Sequence, residues 1–119
     1  LAAFNNKDVD TISALYHPQS VYANSRSPLM RGIDQIRPWY ERVLPNFEGS
    51  LLFKEEVAFQ EGTMALIVGK FYFKPHSDGE QGETGRVGLV YRRSEDGRWL
   101  LFYDMDNTPP DSKPEDFDL

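Results

Sequence analysis

The chain contains no cysteine. Disulfides, thiolate nucleophiles and cysteine metal sites are therefore excluded, and the absence suits a cytoplasmic setting, the expectation adopted here. Histidine is nearly absent too. His17 borders a turn and His76 lies in a polar loop, and with only scattered acids around them no metal ligand spacing forms, so no metal is expected. No apolar run approaches the ~18 residues of a membrane span, and no signal peptide is visible, so no membrane partner is expected. Basic residues are outnumbered, 13 Lys and Arg against 19 Asp and Glu for a formal net charge of -6, and they form no cluster. A nucleic-acid partner is not expected from that balance. There is no glycine-rich phosphate loop and no Ser-His-Asp order, and no cofactor is expected.

What the chain does have is aromatic residues, 8 Phe and 6 Tyr among 119 residues. One domain of this size buries about two-thirds of its unfolded surface, and that aromatic share suits a β-rich core or an apolar cavity. The first residue is Leu1 rather than Met, so an upstream segment is expected. Leu1–Asn6 reads as the end of a helix, with Asn6 in the left-handed conformation. Asp8 is placed to cap a second helix over Val9–Tyr16, ended by His17-Pro18. Ser20–Asn24 reads as a strand, Leu29–Arg31 as its short return, and Ile33–Leu44 as a helix with a buried stripe that includes Ile36 and Tyr40. Pro38 inside it predicts a bend or a late start.

From Ser50 the hydrophobic period changes from 3.6 to 2. Long strands follow: one from Ser50, then Thr63–Lys74, Thr84–Arg93 and a last strand in Arg98–Asn107, the final two joined by a two-residue hairpin at Asp96-Gly97. Helices segregated from antiparallel strands mean α+β. The expected architecture is a curved antiparallel sheet wrapped around the helices, a cone-shaped, cystatin-like half-barrel over residues 1–107. Residues 108–119, acidic and rich in proline, are expected to be a disordered tail.

Three segments carry a family resemblance: AFNNKDVDTISALYHPQSVYAN, MRGIDQIRPWYERVL and VYRRSEDGRWLLFYDMDN. Together they resemble the nuclear-transport-factor-2-like superfamily, in its SnoaL-like and ketosteroid-isomerase-like branch. The resemblance implies the same cone fold. It also maps family positions onto this chain. The isomerase's general-base aspartate falls on Asn24, its protonated oxyanion-hole aspartate on Leu89, and its oxyanion-hole tyrosine before Leu1. Steroid isomerisation by those residues is therefore argued against. The apolar pocket positions fall on Phe4, Trp39, Ile67, Phe71 and Phe102.

The last strand presents two faces if it alternates strictly. Trp99, Leu101, Tyr103 and Met105 share one, and Leu100, Phe102, Asp104 and Asp106 the other. Hydrophobicity alone buries the first face. The resemblance implies the reverse, with Phe102, Asp104 and Asp106 inside the cone and the Trp99, Leu101 and Tyr103 face outside, covered by a second subunit in a homodimer. Across the hairpin, Asp104 meets Leu89 or Val87, an aliphatic neighbour that raises its pKa. Asp106, about 6–7 Å along the same face, raises it further. Asp104 is the candidate acid or base and Asn24 the candidate positioner, expected within reach of each other. Tyr22, Leu89 and Tyr91 join the pocket wall, with Asp106 near the open rim. Arg92 and Arg93 are expected to pair with acids, and the loop acids Asp78, Glu80 and Glu83 to form a solvated face.

Two functions follow. One is cofactor-independent proton transfer on a small hydrophobic molecule, as in an isomerase, dehydratase or cyclase. The other is a non-catalytic module that binds a small ligand or dimerises.

Overall fold

The structure is a computed structural model that describes residues 1–25, 27–77, 79–80 and 82–117. Two short helices, α1 (Ala2–Asn5) and α2 (Val9–Ala14), lead into strand β1 (Tyr16–Ala23) and its short partner β2 (Met30–Arg31). Helix α3 (Ile33–Val43) follows, then β3 (Gly49–Glu61), β4 (Met64–Pro75), β5 (Glu83–Arg93) and β6 (Trp99–Asn107). All six strands form one sheet in the order β2-β1-β6-β5-β4-β3. The class is α+β, as the segregated helices and strands predict. The sheet is mixed rather than wholly antiparallel, because β1 runs parallel to β6.

The helices close one side of the sheet. Ile36, Tyr40 and Leu44 recur every four residues, so they form one buried stripe. They pack with Ile12, Tyr16, Tyr22 and Leu101 into the main core. Helix α3 runs through Pro38 and begins at Ile33, so the proline neither delays nor breaks it. Asp8 caps α2 through the Thr11 amide, as expected. The helix stops at Ala14, earlier than its apolar spacing suggests, because the sheet captures the next residues. The Leu15 carbonyl accepts from the Leu101 amide, and Tyr16 pairs with Leu101 in the sheet. The left-handed residue after α1 is Lys7, not Asn6. Asn5 pins α1 to β3 by accepting from the Leu51 amide at 2.7 Å and donating to its carbonyl at 3.2 Å.

The β5–β6 hairpin differs from the two-residue turn expected. Ser94 and Arg98 close a three-residue loop in which Gly97 has φ +88. This slips the pairing by one residue, so Tyr91 meets Leu101. A bulge at Phe102 then restores it, so Val90 meets Tyr103 and Leu89 meets Asp104. Strict alternation therefore fails within β6. Trp99 and Leu101 point inward before the bulge, and Asp104 and Asp106 point inward after it. Each half of the strand follows one of the two opposed expectations for its faces.

Phe102, the extra residue, leaves the interior. Arg92 lies over its ring at 5.0 Å and His17 meets its edge at 5.2 Å. Its expected place on the pocket wall is thereby corrected. Arg93 similarly lies over Trp99 rather than beside an acid.

The C-terminal segment also departs from expectation. Through Phe117 it lies on the outer face of β4 and β5 instead of being disordered. Buried Ser112 donates to the Gly85 carbonyl, and the Thr84 hydroxyl donates to the Ser112 carbonyl. Arg86 bridges Glu56 and Asp111, Lys70 pairs with Asp116, and Phe117 packs against Tyr72. The acids that composition assigns to water find basic partners on the sheet.

Candidate functional site

Inward-facing residues of β3 to β6 and the N-terminal helices enclose a cavity of about 380 Å³. Two glycines shape its wall. A Cβ on Gly69 would lie 2.5 Å from the Phe53 ring, and one on Gly85 would lie 2.4 Å from the Phe71 ring. Each glycine lets an aromatic ring lie against the sheet, which keeps space open at the centre.

Asp104 faces this cavity together with Ile67, Leu89, Tyr91 and Phe71, as expected of them. Phe4, Tyr22 and Asp106 also line it. Among the described residues nothing hydrogen-bonds to the Asp104 carboxyl, and its remaining accessible surface opens on the cavity. Burial pushes its pKa up, and repulsion from Asp106 adds to this, bringing it to about 7. Asp106 is held differently: its Oδ1 accepts from the Ser25 amide at 2.7 Å and from the Ser25 hydroxyl at 2.8 Å.

Tyr16 and Tyr40 were expected only as core residues of helical stripes, yet both line the same cavity. Their hydroxyls are 2.6 Å apart, and the rings of Tyr16, Tyr22 and Tyr40 lie within about 6 Å of one another. Burial raises the pKa of all three, and the Asp104 carboxylate raises each further. They stay protonated at neutral pH and so remain hydrogen-bond donors. A signal for them exists in the sequence, since a buried tyrosine needs a partner for its hydroxyl and three occupy apolar stripes within 25 residues. Trp99, Leu101, Phe53 and Val87 complete the wall and were also not foreseen as such.

Asn24 does not join Asp104. It lines an adjoining chamber of about 530 Å³ with Ser25, Trp39, Phe47 and Glu48. Trp39, expected beside Asp104, stands there too and packs against Tyr22 and Tyr40 instead. The chambers share Phe4, Tyr22, Phe71, Phe73 and Asp106. Glu80 and Glu83 reach this second chamber, whereas Asp78 lies outside the described residues. Among the described residues no His, Asp and Glu group could hold a metal ion, and no helix is long and apolar enough to cross a membrane.

A helix-backed cone whose sheet encloses an apolar cavity is an architecture of the nuclear-transport-factor-2-like class. The chain belongs to the SnoaL-like domain family, whose model matches residues 1–102. Solved structures agree on the fold. A protein of unknown function from Pseudomonas putida KT2440, described as NTF2-like, is 21% identical with a TM-score of 0.78, over 91% of this chain and 78% of that one. A ketosteroid isomerase-like protein from Erwinia carotovora atroseptica is 17% identical with a TM-score of 0.74, over 88% and 84%. A nuclear transport factor 2 superfamily protein from Salmonella enterica serovar Typhimurium LT2 is 18% identical with a TM-score of 0.73, over 96% and 86%. No curated protein matches the chain significantly.

Proposed function

We propose that this SnoaL-like protein binds a small apolar molecule in its central cavity and that Asp104 moves a proton on it. The observation that carries this is the Asp104 carboxyl, open to an apolar cavity, unpaired among the described residues and titrating at about 7. A base works best when its pKa lies near the working pH, because it is then both present and strong enough. The Tyr16–Tyr40 pair supplies protonated phenols on the same cavity wall. These can donate to an oxygen that gains negative charge as Asp104 removes a proton from carbon. No cofactor is needed for such a step, which suits isomerase, dehydratase or cyclase chemistry. One solved relative of the same fold carries the description ketosteroid isomerase-like. The residue pattern differs from that enzyme's, since Asn24 stands at the base position and faces the adjoining chamber.

The test uses a nitrobenzisoxazole, a planar apolar probe that needs only one base. The carboxylate takes the ring C–H proton, the N–O bond breaks, and a nitrile and a phenolate form. Turnover should rise with pH through about 7 and fall at least ~100-fold in Asp104→Asn, the lower range for a lost general base. Equal rates in both proteins would overturn catalysis by Asp104. Probe binding without any rate would favour the non-catalytic binding module instead.

A further inference from the structure

We infer that the ligand is an apolar molecule carrying a protonated amine, with its apolar body beside Asp104 and its amine in the adjoining chamber. This deepens the proposed function and rests on the central cavity being the ligand site.

The two chambers adjoin across five residues that wall both. The inner one holds Asp104, a buried carboxyl with no hydrogen-bond partner among the described residues. The outer one is walled by aromatic rings, including Trp39, Phe47 and Phe73, and by the carboxylates Glu48, Glu80, Glu83 and Asp106. Among the described lining residues of both chambers there is no Lys, Arg or His. Every described ionisable side chain that lines the two chambers is thus an acid or a phenol.

Such a wall selects by charge. An anionic ligand, such as a carboxylate, a phosphate ester or a thioester of a phosphorylated carrier, would have to approach four carboxylates with nothing described to pair with it. A neutral ligand would be indifferent to them. A protonated amine is attracted by the carboxylates and by the faces of the aromatic rings. The division of the space also fixes orientation. An amine held in the outer chamber leaves the uncharged part of the molecule to fill the inner one, where a cation directly on Asp104 would otherwise hold that carboxyl ionised and weaken it as a base.

The experiment compares three probes on one skeleton by calorimetry: naphthylethylamine, naphthylethanol and naphthylacetate. The amine should bind about tenfold tighter than the alcohol at low salt, and the acetate should bind weakest. That gap should shrink as salt rises, since Glu48, Glu80 and Glu83 are exposed. It should also close in a Glu48→Gln/Glu83→Gln variant, whose two exchanges fall on exposed side chains and leave the fold intact. Equal affinity for amine and alcohol, or a gap unmoved by salt and by the variant, would overturn the amine assignment while leaving the cavity as the ligand site. Failure of all three probes to bind would overturn both together.

Discussion

Asp104 stands between Leu89 of β5 and Tyr22 of β1 in the sheet register, and among the described residues neither side chain hydrogen-bonds to its carboxyl. The consequence is a pH-dependent stability of opposite sense to that of a paired acid. An unfolded aspartate titrates near ~3.9, whereas Asp104 in the fold titrates at about 7. Between these values the folded protein keeps a proton that the unfolded chain releases. The contribution is therefore fully present below ~4 and is lost as pH rises through 7. Asp104→Asn should be more stable than the parent at pH 8, by up to ~4 kcal/mol, with the difference shrinking toward pH 4. Urea unfolding at several pH values checks this, and a difference independent of pH would refute the raised pKa.

The Tyr16–Tyr40 contact predicts a non-additive cycle. Tyr16→Phe or Tyr40→Phe each leaves one buried hydroxyl without its 2.6 Å partner and should cost ~1–3 kcal/mol. The double change removes both hydroxyls and should cost less than the two single costs together. Denaturant midpoints for the four proteins decide it, and strict additivity would mean the hydroxyls are satisfied independently.

Gly69 predicts the response of the cavity. In Gly69→Ala the new methyl would lie 2.5 Å from the Phe53 ring and 2.6 Å from the Lys54 carbonyl oxygen. The ring must then move into the cavity or the strands must part, at a cost of ~1–3 kcal/mol. Affinity for the naphthyl probes should fall along with stability. Unchanged affinity would show that Phe53 does not border the bound ligand.

We propose that a second copy of the chain covers the outer sheet face, where of the three residues first expected only Tyr103 lies. Trp99 and Leu101 face inward, so the face instead carries Val57 and Phe59 on β3, Leu66 and Val68 on β4, Val90 on β5, and Tyr103 and Met105 on β6. Phe59 is 65% exposed and Met105 49%, in a contiguous apolar patch of the kind that marks interfaces. Sedimentation should show a dimer at micromolar concentration, and Phe59→Glu should shift it to monomer. A parent protein that sediments as a monomer would remove the proposal.

The helices and the long strands were legible because period and spacing are local. The stripe at Ile36, Tyr40 and Leu44 needs only helical spacing to be found, whereas Ile67, Phe71 and Leu89 take their place on the cavity wall from the family resemblance. Phe102 and Trp99 were misassigned because a bulge changes parity without changing composition. Asn24 was placed with Asp104 by position along its strand, but the chamber it meets depends on how the chain turns after β1. The segment carrying Asp111 and Asp116 looked unstructured because its partners, Arg86 and Lys70, lie far away in sequence.

The bulge at Phe102 sets two residues, Phe102 and Tyr103, against the single residue Val90. If β6 ran straight on with every residue kept, Tyr103 and Met105 would face the cavity and Asp104 and Asp106 would turn outward. The interior carboxyl therefore depends on one residue being looped out of the ladder. Deletion of Phe102 would instead leave Leu101 inward, Tyr103 outward and Asp104 inward opposite Leu89, as they are now. This chain can thus lose a codon at that point and keep its acid in the cavity, a tolerance that an unbulged strand would not have.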